Sequence, residues 1–417
     1  MGDRLPPPGE PSLRSTPSAN TAATDPARAY FPALDGLRGL AVLGVLAFHE
    51  GWALGGFLGV DLFFVLSGFL ITRLLLLELA QSGRVSVLGF WQRRIARLFP
   101  ALITVVLVVA AWTAWAGADV GLRRVRREGL FTLIYVANWG AIADSHGYWR
   151  ALEARAPFEH TWSLAIEEQF YLGWPTLISV GVWATRGRPR RLVGALLLAA
   201  AMSAFALASL WLPTDPTRAY LGTDTRAAAL LVGAGLAALL VGRGAVGGPA
   251  VPALGLASFV ALGVVWAAAT PESAWLFHGG LFASEIAVAW VLATAVLAPQ
   301  APLTRALSAR PLREIGAISY AIYLWHVPVA VMLDAPRTGL SGALLGLLHV
   351  AVTVALAAAS GALVERPLRA AILRSGRVGV ALTLGAVFAA ACALVLATRE
   401  PSVADVDAPT GQGVDAR

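Results

Sequence analysis

Apolar stretches of roughly 20 residues recur along this chain, and many of the short segments between them carry arginine. A helix of that length crosses about 30 Å of hydrocarbon. Spanning helices are predicted near 35–54, 57–79, 99–117, 160–183, 191–212, 226–243, 250–269, 276–298, 314–334, 341–364 and 378–397. A shorter apolar piece, 129–142, is open to three readings: an extra span, a re-entrant element or an interfacial helix. The pattern therefore predicts an all-α, polytopic membrane helix bundle and excludes a soluble α/β fold.

Composition sharpens this picture. Of 417 residues, 57% are hydrophobic and 14% charged, against about 25% charged in a typical soluble domain. The net charge is +7 and no lysine is present. A basic balance can signal nucleic acid, but here the arginines cluster between apolar segments, as the positive-inside rule requires of a membrane protein. With the N-terminus cytoplasmic and 129–142 not crossing, the inner loops carry Arg84, Arg93, Arg94, Arg97, Arg186, Arg188, Arg190, Arg191, Arg243, Arg305, Arg310, Arg369, Arg374 and Arg377. The cluster Arg123, Arg124, Arg126 and Arg127 then falls outside, and the C-terminus lies outside too. If 129–142 spans, every later loop inverts. Cys392 is the only cysteine, so no intrachain disulfide and no multi-cysteine metal site can form.

The organisation expected is a disordered cytoplasmic tail over 1–30, a membrane domain over 31–375, an additional span over 376–398 and a disordered extracytoplasmic tail over 399–417. The first tail has no apolar core of the kind a signal peptide needs.

Ionisable groups inside spans are costly in hydrocarbon and mark function by default. In the first span, DGLRGLAVLGVLAFHE, Arg38 and His49 are eleven residues apart, about 16 Å along a helix and close to three turns. Both side chains thus project from one face, and imidazole suits removal of a hydroxyl proton near neutral pH. A topology anchor at Arg38 and a packing role for His49 are the alternatives. In FWQRRIARLFP, Arg94 and Arg97 share a helical face, and paired guanidinium groups suit phosphates; simple anchoring is the alternative. In HTWSLAIEEQFYLGWP, Glu167 and Glu168 point in different directions, so at least one carboxylate turns into the bundle. In ISYAIYLWHVPV, Tyr323 and His326 share a face inside an apolar run.

These segments resemble the acyltransferase-3 family of membrane acyltransferases. The likeness rests on Arg-x10-His in the first span, GVDLFFVLSGFLIT at 59–72, RRIARLFP at 93–100 and TWSLAIEEQFYLGWP at 161–175. It continues through YLGTDTR at 220–226, ISYAIYLWHVPV at 318–329 and VERPLR at 364–369. The ordered set covers about 30–370. The resemblance implies a core of about ten helices, with an eleventh C-terminal span, in the bacterial inner membrane. It implies transfer of an acyl group, often acetyl, from cytoplasmic acyl-CoA to a hydroxyl of a cell-surface glycan, a lipid-linked precursor or a small molecule such as an antibiotic. By motif, Arg38 and His49 form the central pair, and Arg94 and Arg97 a second arginine motif that helps hold the donor. His49 is then the general base, Glu167 orients or recharges it, and Tyr323 or His326 stabilises the oxyanion. No metal is required, and the GxSxG elbow of serine hydrolases is absent. Some members continue into an extracytoplasmic SGNH-type hydrolase-like domain. Here a linker-like tail follows the eleventh span, which leaves open a separate SGNH-type partner, no such step, or a longer chain. A proton-coupled transporter or flippase is the rival reading, distinguished by needing no coenzyme A.

Overall fold

The computed structural model describes residues 30–116, 121–144, 156–243 and 248–399, and among these the chain is helical with no strand. The two expected tails, apart from Tyr30 and Arg399, lie outside the described residues. The principal helices are α1 (Pro32–His49), α2 (Gly59–Ser82), α3 (Val87–Ala116), α4 (Leu122–Leu133), α5 (Ala137–Ala143), α6 (Trp162–Ala184) and α7 (Pro189–Leu210). They continue as α8 (Thr223–Arg243), α9 (Ala250–Ala268), α10 (Leu281–Leu297), α11 (Arg310–Ala317), α12 (Ser319–Met332), α13 (Gly342–Ser360) and α14 (Arg366–Ala397).

Eight helices are long and apolar enough to cross a membrane, or nine when α11 and α12, bent by 70° at Ile318, count as one span. Two further segments of the sequence pattern are also helical. Gly342–Ala397 is helical along its length, but Gly376 breaks it at φ 58°, ψ −128°. A Cβ on Gly379 would lie 2.8 Å from the Ile372 backbone; in a straight helix seven residues separate by about 10 Å, so the chain doubles back here. The other is α6, whose 23 residues reach about 34 Å but include Glu167 and Glu168. So read, the helices coincide with the eleven predicted segments, and the protein is a multi-pass membrane protein. Large apolar side chains such as Trp183, Phe205 and Phe388 stand 72–79% exposed on the bundle exterior, where a membrane supplies hydrocarbon.

Two predicted boundaries move. The segment 129–142 is split by Tyr135, at φ 54°, into α4 and α5. Twelve and seven residues are too short to cross the membrane. The arginine segment before the third predicted span forms the first half of α3, continuous with the span through Pro100.

Glycines set how closely the helices approach. A Cβ on Gly68 would lie 1.9 Å from the Leu230 carbonyl oxygen, and one on Gly233 would lie 2.0 Å from that of Val65. Backbones of α2 and α8 therefore touch, as small residues permit between membrane helices. On α1, Gly36 would meet Leu307 at 1.7 Å, and Gly316 of α11 would meet Asp35 at 1.7 Å, which presses the bent pair onto the Arg38 end of α1. Beside the α2–α8 contact, Arg226 pairs with Asp61 at 2.6 Å, their side chains 1% and 2% exposed.

These contacts predict that Gly68→Ala lowers the thermal unfolding temperature of the detergent-purified protein, by an overpacking penalty of at least ~1–3 kcal/mol. Gly194 in α7 has nothing within 4 Å of its Cβ position, so Gly194→Ala leaves stability unchanged or raised. Equal stability of both variants would refute the close-packed crossing.

Candidate active site

The C-terminal turn of α1 places His49 inside the bundle, where its Nδ1 lies 2.9 Å from the Val45 carbonyl. On α12, His326 Nδ1 lies 2.6 Å from the Tyr323 carbonyl. A carbonyl oxygen only accepts, so each Nδ1 carries a proton, and a ring in its neutral form has its lone pair at Nε2. The two rings meet edge-on with centroids 4.8 Å apart. A third imidazole, His160, sits in the single turn that precedes α6, with its centroid 4.8 Å from that of His326. Two imidazolium charges at such a distance would repel by roughly 3 kcal/mol at an effective dielectric constant of about 20. The cluster thus suits one added proton at a time.

Tyr323 fixes this cluster. Its hydroxyl donates to the His160 carbonyl at 3.0 Å and accepts from Ser163 Oγ at 2.6 Å. Its one proton is committed to a backbone carbonyl, which ties α12 to the turn before α6.

Two cavities lead toward the cluster. One of about 50 Å³ is bounded by Arg38, Phe63, Ser67, Ser163, Glu167, Ser319, Tyr320 and Tyr323. There Ser67 Oγ donates to Glu167 at 2.6 Å. The second, of about 130 Å³, is bounded by Arg38, Arg97, Ser319, Tyr320, Glu365, Arg366 and Arg369. Arg38, Ser319 and Tyr320 line both, so Arg38 stands at the junction of a strongly basic chamber and a small chamber that ends at Tyr323.

The residues singled out from the sequence divide accordingly. Arg38, Glu167 and Tyr323 share one wall, His49 and His326 touch, and Tyr323 joins the two groups through ring contacts of 5.2 Å to His326 and 5.4 Å to His160. The hydrogen bond found for Glu167 goes to Ser67, while the His49 Nδ1–H goes to a backbone carbonyl. The two α3 arginines also part company. Arg97 faces the basic chamber, whereas Arg94 is paired with Glu168 at 3.3 Å and lies 3.8 Å above the Tyr171 ring. His160, Ser67, Arg366 and Arg369 were assigned no catalytic or binding role from the sequence. The motifs HTWSLAIEEQFYLGWP and VERPLR contain three of these four, and an imidazole at the head of a span was the available signal for His160. Among the described residues, no group of three or more His, Cys, Asp or Glu side chains is arranged to hold a metal ion.

Comparison with known proteins places this geometry in context. A family model described as "Acyltransferase domain" matches residues 31–365. The chain is 36% identical over 356 residues to the peptidoglycan O-acetyltransferase OatA of Listeria monocytogenes, covering 82% of this chain and 56% of that protein. It is 34% identical to O-acetyltransferase OatA of Staphylococcus aureus, over 82% of this chain and 57% of the relative. A putative peptidoglycan O-acetyltransferase of Bacillus subtilis, YrhL, is 37% identical over 83% of this chain and 56% of its own length. The chain thus spans little more than half the length of these relatives. No solved structure matches it.

The different settings of the two α3 arginines yield a test. Arg94→Ala leaves Glu168 buried without its cation, a change that costs about 3–5 kcal/mol. Unfolding of the purified protein should show that loss, and adding Glu168→Gln should restore much of it. Arg97→Ala should change stability far less. A stable Arg94→Ala variant would remove the ion pair from the structural framework.

Proposed function

The chain belongs to the acyltransferase-3 family, and from that premise we propose that it is a membrane O-acetyltransferase using acetyl-CoA as donor and a cell-wall glycan hydroxyl as acceptor. The observation that carries this reading is the pair of cavities joined at Arg38, basic on one side and ending at Tyr323 beside the histidines on the other. Oriented with its N-terminus in the cytoplasm of a bacterial cell, the protein presents the basic chamber to the inner face of the cytoplasmic membrane. Arg97, Arg366 and Arg369 hold the phosphates of the donor through charge-assisted hydrogen bonds. The narrow pantetheine arm passes Arg38 and Tyr320, bringing the thioester into the small chamber.

The reaction follows from the tautomers. His49 Nε2 takes the proton of the acceptor hydroxyl as its oxygen attacks the thioester carbonyl carbon. The C–S bond then breaks, and the departing coenzyme A thiolate receives the proton from the His49 imidazolium, which restores the neutral ring. The Nδ1–H bond to Val45 holds the base in the productive tautomer throughout. His326 and His160 surround the transient imidazolium with polarisable, neutral rings and exclude water. Glu167 holds Ser67 in the wall of the chamber and, with Arg38, sets its polarity. The glycan acceptor follows what the relatives' names say of those proteins. Onward transfer through a separate SGNH-type partner is compatible with the same chemistry.

The rival reading is a transporter, in which the same buried groups carry protons or line a substrate path. Inside-out vesicles supplied with acetyl-labelled acetyl-CoA and native glycan separate the two. Wild type should transfer label to glycan, and His49→Ala should lose ~100-fold or more of the rate, the usual contribution of general base catalysis. Arg97→Ala combined with Arg369→Ala should raise the donor KM by roughly tenfold or more, since a hydrogen bond to a charged group contributes ~1.5–3 kcal/mol. Transfer that survives in His49→Ala would remove the proposed base. Substrate crossing the membrane unmodified without coenzyme A would favour the transporter.

A further inference from the structure

Away from the histidines, α2, α6, α7 and α8 form an open apolar slot of about 280 Å³ walled by Leu76, Leu79, Val182, Leu192 and Val241. Packed membrane helices leave few voids, and an apolar cavity of ~150 Å³ is already large enough to take up a benzene-sized ligand. The slot closes at one end on the turn that joins α6 to α7, where Arg188 lines it. That turn is tightly made: Arg186 adopts φ 53°, unusual for a residue with a Cβ, and Gly187 adopts φ 64°. The Arg186 and Gly187 amides donate to Trp183 at 2.9 Å and Val182 at 2.8 Å. It presents Arg186, Arg188, Arg190 and Arg191, all exposed and with no carboxylate partner found among the described residues.

An apolar slot lined by Arg188, with Arg186, Arg190 and Arg191 exposed within three residues of it, suits a lipid with an anionic head group. We propose that this slot is a binding site for an anionic phospholipid, with an acyl chain between α2, α6, α7 and α8 and the phosphate at Arg186 and Arg188. Charge complementarity selects the lipid. A zwitterionic head group brings its own cation to the arginines, and free phosphate has no tail to fill the slot. Simple positive-inside anchoring would explain the arginines but not the cavity beneath them. The site is independent of the acyl-transfer chemistry, because none of its residues lines either cavity at Arg38.

The test titrates the 417-residue chain in detergent with phosphatidylglycerol or phosphatidylcholine and counts bound lipid by native mass spectrometry. Wild type should retain one phosphatidylglycerol at least tenfold more tightly than phosphatidylcholine. Arg186→Gln with Arg188→Gln should abolish that preference. Ala80→Trp fills the slot from an exposed position on its wall, and should abolish the specific lipid while leaving the melting temperature unchanged. Equal retention of the two lipids by wild type would overturn the proposal. So would unchanged phosphatidylglycerol binding in both variants, or displacement by millimolar inorganic phosphate alone.

Discussion

The rest of the bundle is arranged around one ion pair that water does not reach, Asp61 with Arg226. Moving either ion out of water costs several kcal/mol, so the pair persists only because each charge finds its partner at 2.6 Å and the surroundings are tightly packed. Arg226 also lies 4.7 Å from the Tyr220 ring centroid and 5.7 Å from that of Phe64, and Glu285 of α10 is buried as well. Through these groups α2 and α8 are tied, and the glycine contacts at Gly68 and Gly233 bring their backbones together. The consequence reaches the site, because α2 also carries Phe63 and Ser67 into the chamber where Ser67 meets Glu167.

Much of this was legible in the hydrophobic pattern because hydrocarbon imposes a length. The eleven apolar segments reappear as helices, and the all-α bundle follows from them. Breaks are harder to read, since they depend on single residues. Tyr135 splits 129–142 through one backbone angle, and the bend at Ile318 leaves an amphipathic α11 attached to an apolar α12. The α3 helix shows the opposite case, where a polar first half continues unbroken into a span because Pro100 is accommodated inside it.

The site was legible only as far as helical periodicity carries. Three-residue and eleven-residue spacings place side chains on one face, but they do not say which neighbour that face meets. Arg94 and Arg97 illustrate the limit: the spacing makes them equivalent, and Glu168, contributed by another helix, makes them different. His160 follows the same logic. It lies 111 positions from His49 in the chain, and only the packing of the turn before α6 against α12 brings its ring beside His326. Arg366 and Arg369 likewise join Arg97 only because the start of α14 returns to the Arg38 end of α1.

That convergence carries an electrostatic argument. Arg94 and Arg226 each have a carboxylate, whereas the basic chamber gathers Arg38, Arg97, Arg366 and Arg369 around the single carboxylate of Glu365. Like charges held together at the edge of a low-dielectric bundle repel, and the repulsion is relieved when an anion enters. In the proposed reading, that relief contributes to holding a phosphorylated donor. The same fold that pairs Arg94 and Arg226 with buried carboxylates gathers these four arginines beside the chamber that reaches Tyr323, where the proposed anionic donor would offset their charge.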